Sequence, residues 1–222
     1  MIRINKIVIL APNSKNKSTH ESNKSPYISD SNETLNKLRN DLIERLVVIE
    51  NHNAVKLKEN EVSLIPLPAY KRYNGVVMRS FDYLSLNERE RVKAESSVVY
   101  LSALLGFVRF NEDTPNYRVD FTSKALGVNL RNYWENFLND SVKEMTESNL
   151  VINLLTEDIK KKIKVKSKSL IDVSLTSGTQ RNGHNAKSSK GELMRSLLQY
   201  EDPLETIHKF KSSENYYATI RG

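Results

Sequence analysis

Three short apolar runs separated by helical patterns constrain the fold of this chain more than any other feature: Ile2–Leu10 (IRINKIVIL), Val98–Leu101 (VVYL) and Leu150–Leu155 (LVINLL). Runs of this length, rich in β-branched residues and stopped by turn residues such as Pro12-Asn13, read as buried strands. Between the first two, Glu33–Ile49 carries Leu35, Leu38, Leu42, Leu46 and Ile49 on one face of an amphipathic helix. Leu130, Tyr133, Trp134, Phe137 and Leu138 keep the same spacing and make the strongest apolar face in the chain. Strands alternating with helices predict an α/β domain, a central mixed sheet flanked by helices. With no internal repeat and no clean linker, residues 1–222 are expected to form one compact domain.

Weaker signals fill in the rest. Val62–Leu67 reads as a short strand, and the PAYKRYNG segment after it as a turn rich in tyrosine and basic residues. The SLNE run from Ser85 to Glu88 has capping-box spacing, which predicts a helix from about Leu86. Leu101–Asp120 shows no period and reads as irregular. Lys160–Lys168 (KKKIKVKSK) alternates like an edge strand or a solvated ribbon. Ser169–Thr176 is a further strand, SGTQRNG a turn, and a last helix is expected over Ser189–Tyr200.

The chain has no cysteine, which excludes a disulfide framework, a thiolate nucleophile and Cys-based metal centres. Its four histidines, His20, His52, His184 and His208, show no HxxxH spacing, and no metal or other cofactor is expected. A GxSxG elbow is missing as well, which argues against a serine hydrolase. No run approaches the roughly 18 apolar residues a membrane span needs, and Ile7–Ala11 is too short for a signal peptide. A cytoplasmic protein with no membrane partner is therefore expected, and a monomer. The formal net charge is +7, and Leu155–Arg195 alone carries eight Lys and two Arg against four acidic residues. So concentrated a basic excess favours polyanionic partners through counterion release, although a solvated basic surface would show the same composition.

Three segments hold the candidate binding residues. In PNSKNK, Lys15 and Lys17 follow the first strand, where open α/β sheets place their ligands, but the loop has no glycine and is no nucleotide P-loop. In the second, Arg109, Tyr117 and Arg118 offer guanidinium groups for phosphate and a ring for a base or ribose; Glu112, Asp113 and Asp120 offer the arginines internal partners instead. In HNAKSSKGELMR, a helix starting near Ala186 puts Lys187 and Lys190 on the arc of Met194, Leu197 and Leu198, where they would line an anion pocket. If instead Ser189 and Glu192 form a capping box, Lys187 stays in a loop. His184 and Arg195 belong to the same segment, and Arg72 of PAYKRYNG is a further candidate.

Read in order, ILAPNSKNK, AYKRYNGVV, SALLGFVR with NYRVD, NYWENFL, INLL and KSSKGELMR resemble the YaaA peroxide-stress family across nearly the whole chain. Ala103 and Leu105 stand where that family has a glycine and an aromatic, which marks a divergent member. The resemblance implies an α/β protein with a positively charged cleft lined by Lys15, Arg109, Tyr117, Arg118, Lys187, Lys190 and Arg195, associated with oxidative stress and with DNA held by backbone and shape. The alternative is an enzyme acting on a nucleobase, nucleotide or other small anion, with a desolvated Lys17 or Lys187 as base or nucleophile and Asp120 as its partner.

Overall fold

A computed structural model of the chain describes residues 6–14, 17–18, 32–52, 67–124, 126–177 and 183–221. The three apolar runs supply neighbouring strands. β1 (Lys6–Pro12) lies between β3 (Val98–Ser102) and β6 (Asn149–Asn153), parallel to both, and β7 (Leu170–Ser177) runs parallel to β6. Antiparallel edges complete the six-stranded mixed sheet: β4 (Gly106–Arg109) beside β3, and β8 (Tyr216–Arg221) beside β7, in the order β4-β3-β1-β6-β7-β8. In β1, Val8, Ile9, Leu10 and Ala11 are all buried. Side chains alternate across a strand, so both faces of the sheet are covered, which is why this run is continuously apolar rather than alternating.

Helices cover the two faces. On α1 (Glu33–His52), Leu35 and Leu42 of the predicted stripe are buried and Leu38 and Leu46 pack against the core, and Tyr133 of α5 (Leu130–Tyr133) donates to Leu38 O and to Asp41 of α1. α6 (Glu135–Ser148) follows after Trp134, and the Asn129 side chain caps α5 by accepting from the amides of Arg131 and Asn132. The second group contains α3 (Val76–Phe81), α4 (Glu88–Ser97), α8 (Gly183–Gln199) and α9 (Pro203–Lys209), with α3 packed closely along α8. Gly191 makes that approach possible: a Cβ there would lie 2.2 Å from Val77 O and 2.7 Å from Phe81 N. Both are backbone atoms, so neither can swing aside. Gly191→Ala should therefore destabilise by about 1–3 kcal/mol through overpacking, outweighing the gain of about 1 kcal/mol in helix propensity. A lower urea midpoint with unchanged slope is the expected result.

Several local expectations change. α4 is capped by Asn87 and Glu90, whose side chains bond each other's backbone amides at 2.9 and 3.0 Å, and not by Ser85 and Glu88. The stretch read as irregular contains the β3–β4 hairpin, turning through Ala103–Leu105 into Gly106 at φ +67°, a left-handed position that glycine takes without strain. PAYKRYNG holds a one-turn helix, α2 (Ala69–Arg72), after the two-residue β2 (Leu67–Pro68), which pairs with β5 (Asp113–Thr114). Most of the strand expected over 62–67 lies outside the described residues. Lys160–Lys168 is not an edge strand: α7 (Glu157–Lys160) ends there, Lys162 and Lys164 pair with Glu135, and Ile163 and Val165 pack on the core. α8 starts at Gly183, with Ser189 inside it and its hydroxyl bonded to Asn185 O and Ser212, so no capping box begins there and Lys187 is helical. Nor is α8 the last element, since α9 and β8 follow.

Candidate functional site

Strands β1, β3 and β6 end at the same edge of the sheet because they are parallel. From β1 the chain crosses to β3 on one side, and from β6 to β7 on the other, so their carboxyl ends form the topological switch point where open α/β sheets leave a crevice. Two lysine centres sit at this edge.

The first is built on Lys17. Beyond β1, Asn13 N donates to Leu101 O at 3.2 Å, and Ser14 packs under Gly75, where a Cβ would fall 2.2 Å from its Oγ. Lys17 then pairs with Tyr73 as an antiparallel bridge, and Ser18 N donates to Arg72 O at 2.8 Å. The buried Arg72 guanidinium ties this segment down, donating to Ser18 O and, at 3.1 Å, to Thr114 O. Held in this way, Lys17 Nζ lies 3.9 Å from the Tyr117 ring centroid and 5.7 Å from that of Tyr73, and donates to Ser14 O at 3.0 Å.

Beneath the lysine runs a buried hydroxyl chain. Tyr73 and Tyr117 place their hydroxyls 3.1 Å apart, and Ser102 at the end of β3 bonds Tyr117. Ser102 Oγ also accepts from the amides of Leu104 and Leu105, at 3.1 and 2.9 Å. With its acceptor sites taken by two amides, Ser102 donates its own proton to Tyr117. Burial pushes both phenols above their ordinary range, so both stay protonated. Burial is also the main reason that Lys17 is lowered to about 7; Arg72 lowers it further, Asp120 offsets part of this, and Arg118 adds to it.

The second centre lies at the end of β6. Lys190 of α8 donates to Leu154 O and Leu155 O, and Lys160 donates to Val173 O at 2.6 Å and to Glu157 at 3.2 Å. Glu157 also pairs with Arg221. Burial lowers Lys190 to about 8, Lys160 lowers it further, Glu157 opposes this, and the exposed Lys187 contributes. The ammonium groups of Lys160, Lys187 and Lys190 thus stand at this end of the sheet with the carboxylates of Glu157 and Asp172, the latter accepting from Asn153 at 2.7 Å.

The structure distributes the predicted residues unevenly. Lys17, Arg72, Tyr117 and Arg118 come together, and Lys187 and Lys190 meet with Lys160. The Tyr117 ring is buried beneath Lys17, and Arg118 is exposed. Arg109 pairs with Val99 at the far end of β3, away from the carboxyl edge, with its side chain exposed. Arg195 holds the end of α3, donating to Phe81 O, Asp82 O and Ser85 Oγ at 3.3, 3.0 and 2.8 Å. His184 is exposed in the first turn of α8, and Lys15 lies outside the described residues. Sequence reasoning did not find Tyr73 or Ser102 as members of the first centre, and marked Lys160 only as the start of the basic 160–168 stretch. Tyr73 stood in a segment already marked by its aromatic and basic residues, and Ser102 opens the SALLGFVR segment, though its residue type alone gives it no role there. Among the described residues, no group of three or more acidic or histidine side chains could hold a metal ion, and no helix is long and apolar enough to cross a membrane.

A titration of the lysine Cε signals by NMR should give midpoints of about 7 for Lys17 and about 8 for Lys190. Deprotonation removes positive charge, so affinity for any polyanion held at this edge should fall as pH rises through these values.

The family profile described as "Peroxide stress protein YaaA" matches residues 7–219. A UPF0246 protein of Fusobacterium nucleatum is 24% identical over 72% of this chain and 67% of its own length. One from a Marinomonas species is 26% identical over 65% of this chain, which spans only 59% of that relative. A third, from Aliivibrio fischeri, is 25% identical over 86% of this chain and 82% of its own.

Proposed function

The chain belongs to the peroxide stress protein YaaA family, and from that premise we propose that it binds DNA through a basic cleft along the carboxyl edge of its sheet. The observation that carries this reading is the gathering of Lys17 and Arg118 at the ends of β1 and β3, and of Lys160, Lys187 and Lys190 at the end of β6, on one edge. Among the described residues neither centre presents an exposed aromatic stripe for reading bases, since Tyr73 and Tyr117 are buried. Contacts of this kind recognise phosphate and duplex shape with little sequence preference. Acting in the cytoplasm as a single-domain monomer, such a protein would shield DNA or hold its distorted forms during peroxide exposure.

The test is fluorescence anisotropy with a labelled duplex over a salt series. Log affinity should fall linearly with log salt, and Lys187→Glu or Arg118→Glu should weaken binding about equally on unrelated sequences and reduce the slope by about 1 each. Affinity independent of salt would overturn the reading. A second reading, an enzyme acting on a small anionic ligand, is favoured by one observation: the partly buried amine of Lys17 rests on an ordered tyrosine–serine network rather than on an open surface.

A further inference from the structure

We propose that Lys17 is a nucleophilic amine that forms an imine with an aldehyde carried on a sugar phosphate. The inference rests on the reading that this edge takes phosphate-bearing ligands, and it names the reacting group of the ligand. Geometry is the first support. The Nζ is located by Ser14 O and by the faces of Tyr117 and Tyr73, beside Arg118, an exposed cation able to hold a phosphate. The tyrosine network behind the amine is pinned by Ser102 and two backbone amides, so the lysine stands on a rigid base.

Charge is the second support. At pH 7 about half of Lys17 is neutral amine given its value of about 7, whereas an ordinary lysine is neutral in roughly one molecule in three thousand. The groups that face it are Arg72 and Tyr73 from the end of α2, and Tyr117, Arg118 and Asp120 from the segment after β5. No carboxylate, thiol or metal chemistry is required for the step.

Addition balances without a further reactant. The Nζ lone pair attacks the aldehyde carbon, the carbonyl oxygen takes up a proton, and one ammonium proton leaves nitrogen to give a carbinolamine. A proton from solvent takes the hydroxyl off as water to leave the iminium, and return of the N–H proton to solvent gives the imine. Hydride from cyanoborohydride then reduces it to a stable secondary amine, which marks the lysine covalently.

The experiment traps that amine on the full chain with two probes, a duplex carrying one abasic deoxyribose and free glyceraldehyde 3-phosphate. A duplex with a tetrahydrofuran residue in place of the abasic sugar serves as the non-aldehyde control and reports binding alone by anisotropy. Peptide mass spectrometry should place the adduct on Lys17, and trapping should rise with pH to a plateau through about 7. Lys17→Arg, which keeps the positive charge, should lose trapping by at least about ten-fold when compared with the parent at equal control-duplex occupancy, as read by anisotropy. Lys17→Met should also lose trapping if its circular dichroism is native, and, having lost a cation, should bind the control duplex more weakly; Lys190→Met should still be trapped at Lys17 by the free sugar phosphate. Trapping only with the abasic duplex makes DNA the source of the aldehyde, and trapping with both probes makes the shared sugar-phosphate aldehyde sufficient. Adducts spread evenly over the lysines, or equal in Lys17→Arg and the parent, overturn the proposal. If the control duplex binds and neither probe is trapped, the imine chemistry is wrong and the DNA reading stands. If the duplexes do not bind, the DNA reading fails, and trapping of the free sugar phosphate at Lys17 still decides the chemistry.

Discussion

Truncating Trp134 to alanine should cost about 3–5 kcal/mol of stability, a large part of the 5–15 kcal/mol that a domain typically has. The indole is fully buried between α5 and α6, in edge contact with Tyr133 and Phe137 at centroid distances of 5.4 and 5.7 Å. It also lies against the β3–β4 turn, so close that a Cβ on Gly106 would fall 2.7 Å from the ring. Its Nε1 donates to Ala103 O at 2.9 Å. Alanine therefore leaves a cavity and an unpaired buried carbonyl in the same place. At about 2–4 °C per kcal/mol for a chain of this size, thermal unfolding should begin roughly 6–20 °C lower. Trp134→Phe, which restores much of the volume but not the donor, should recover most of the loss; no recovery would mean that the hydrogen bond, not packing, dominates.

Arg39→Met is the second large effect, with an expected loss of about 3–5 kcal/mol for removing one partner of a buried ion pair. The Arg39 side chain is fully buried on α1. Its Nε and Nη2 donate to Leu105 O and Phe107 O at 2.7 and 2.6 Å, and its Nη1 pairs with Glu112 at 2.5 Å. Methionine fills much of the space but takes the donor from two carbonyls and the counter-charge from a carboxylate, only 12% exposed, that keeps the Arg109 amide at 2.9 Å. Adding Glu112→Gln should therefore recover part of the loss, since the amide has no charge to strand. Denaturant unfolding of both single variants and the double closes the cycle, and simple additivity would show that the two side chains do not act as a pair.

Both side chains grip the same turn, and that turn ends at the functional edge. Ser102 precedes it and takes its place in the tyrosine network from the amides of Leu104 and Leu105. Conservative damage at Arg39 or Trp134 should then reach Lys17 through Ser102 and Tyr117, as a shifted lysine titration before global unfolding is seen. The coupling runs through packed groups already in contact, so it requires no moving element.

Much of this protein was legible along the chain. Continuous apolar runs mean strands covered on both faces, and the stripe of α1 means a helix laid on them, because burial repeats with the period of the backbone. The basic excess after Leu155 and the lysine-bearing loop after the first strand were equally local facts; Lys160, Lys187 and Lys190 of the one and Lys17 of the other stand at the carboxyl edge, while Lys162 and Lys164 pair with Glu135. Two-residue strands, one-turn helices and the α8 start were not legible: they are decided by a few bonds to distant residues, as Ser189 inside α8 answers to Ser212 rather than to Glu192. The same holds for function. Lys17, Arg72, Tyr117 and Lys190 could be named as candidates from their chemistry. Only the fold decided that Arg72 is a buried tie, that Arg195 clasps a helix end, that Arg109 sits at the wrong end of its strand, and that Tyr73 and Ser102 stand under the lysine. Desolvation and hydrogen bonding depend on which groups meet in space, and residues 17, 73, 102 and 117 meet only after the sheet has brought the ends of β1 and β3 together.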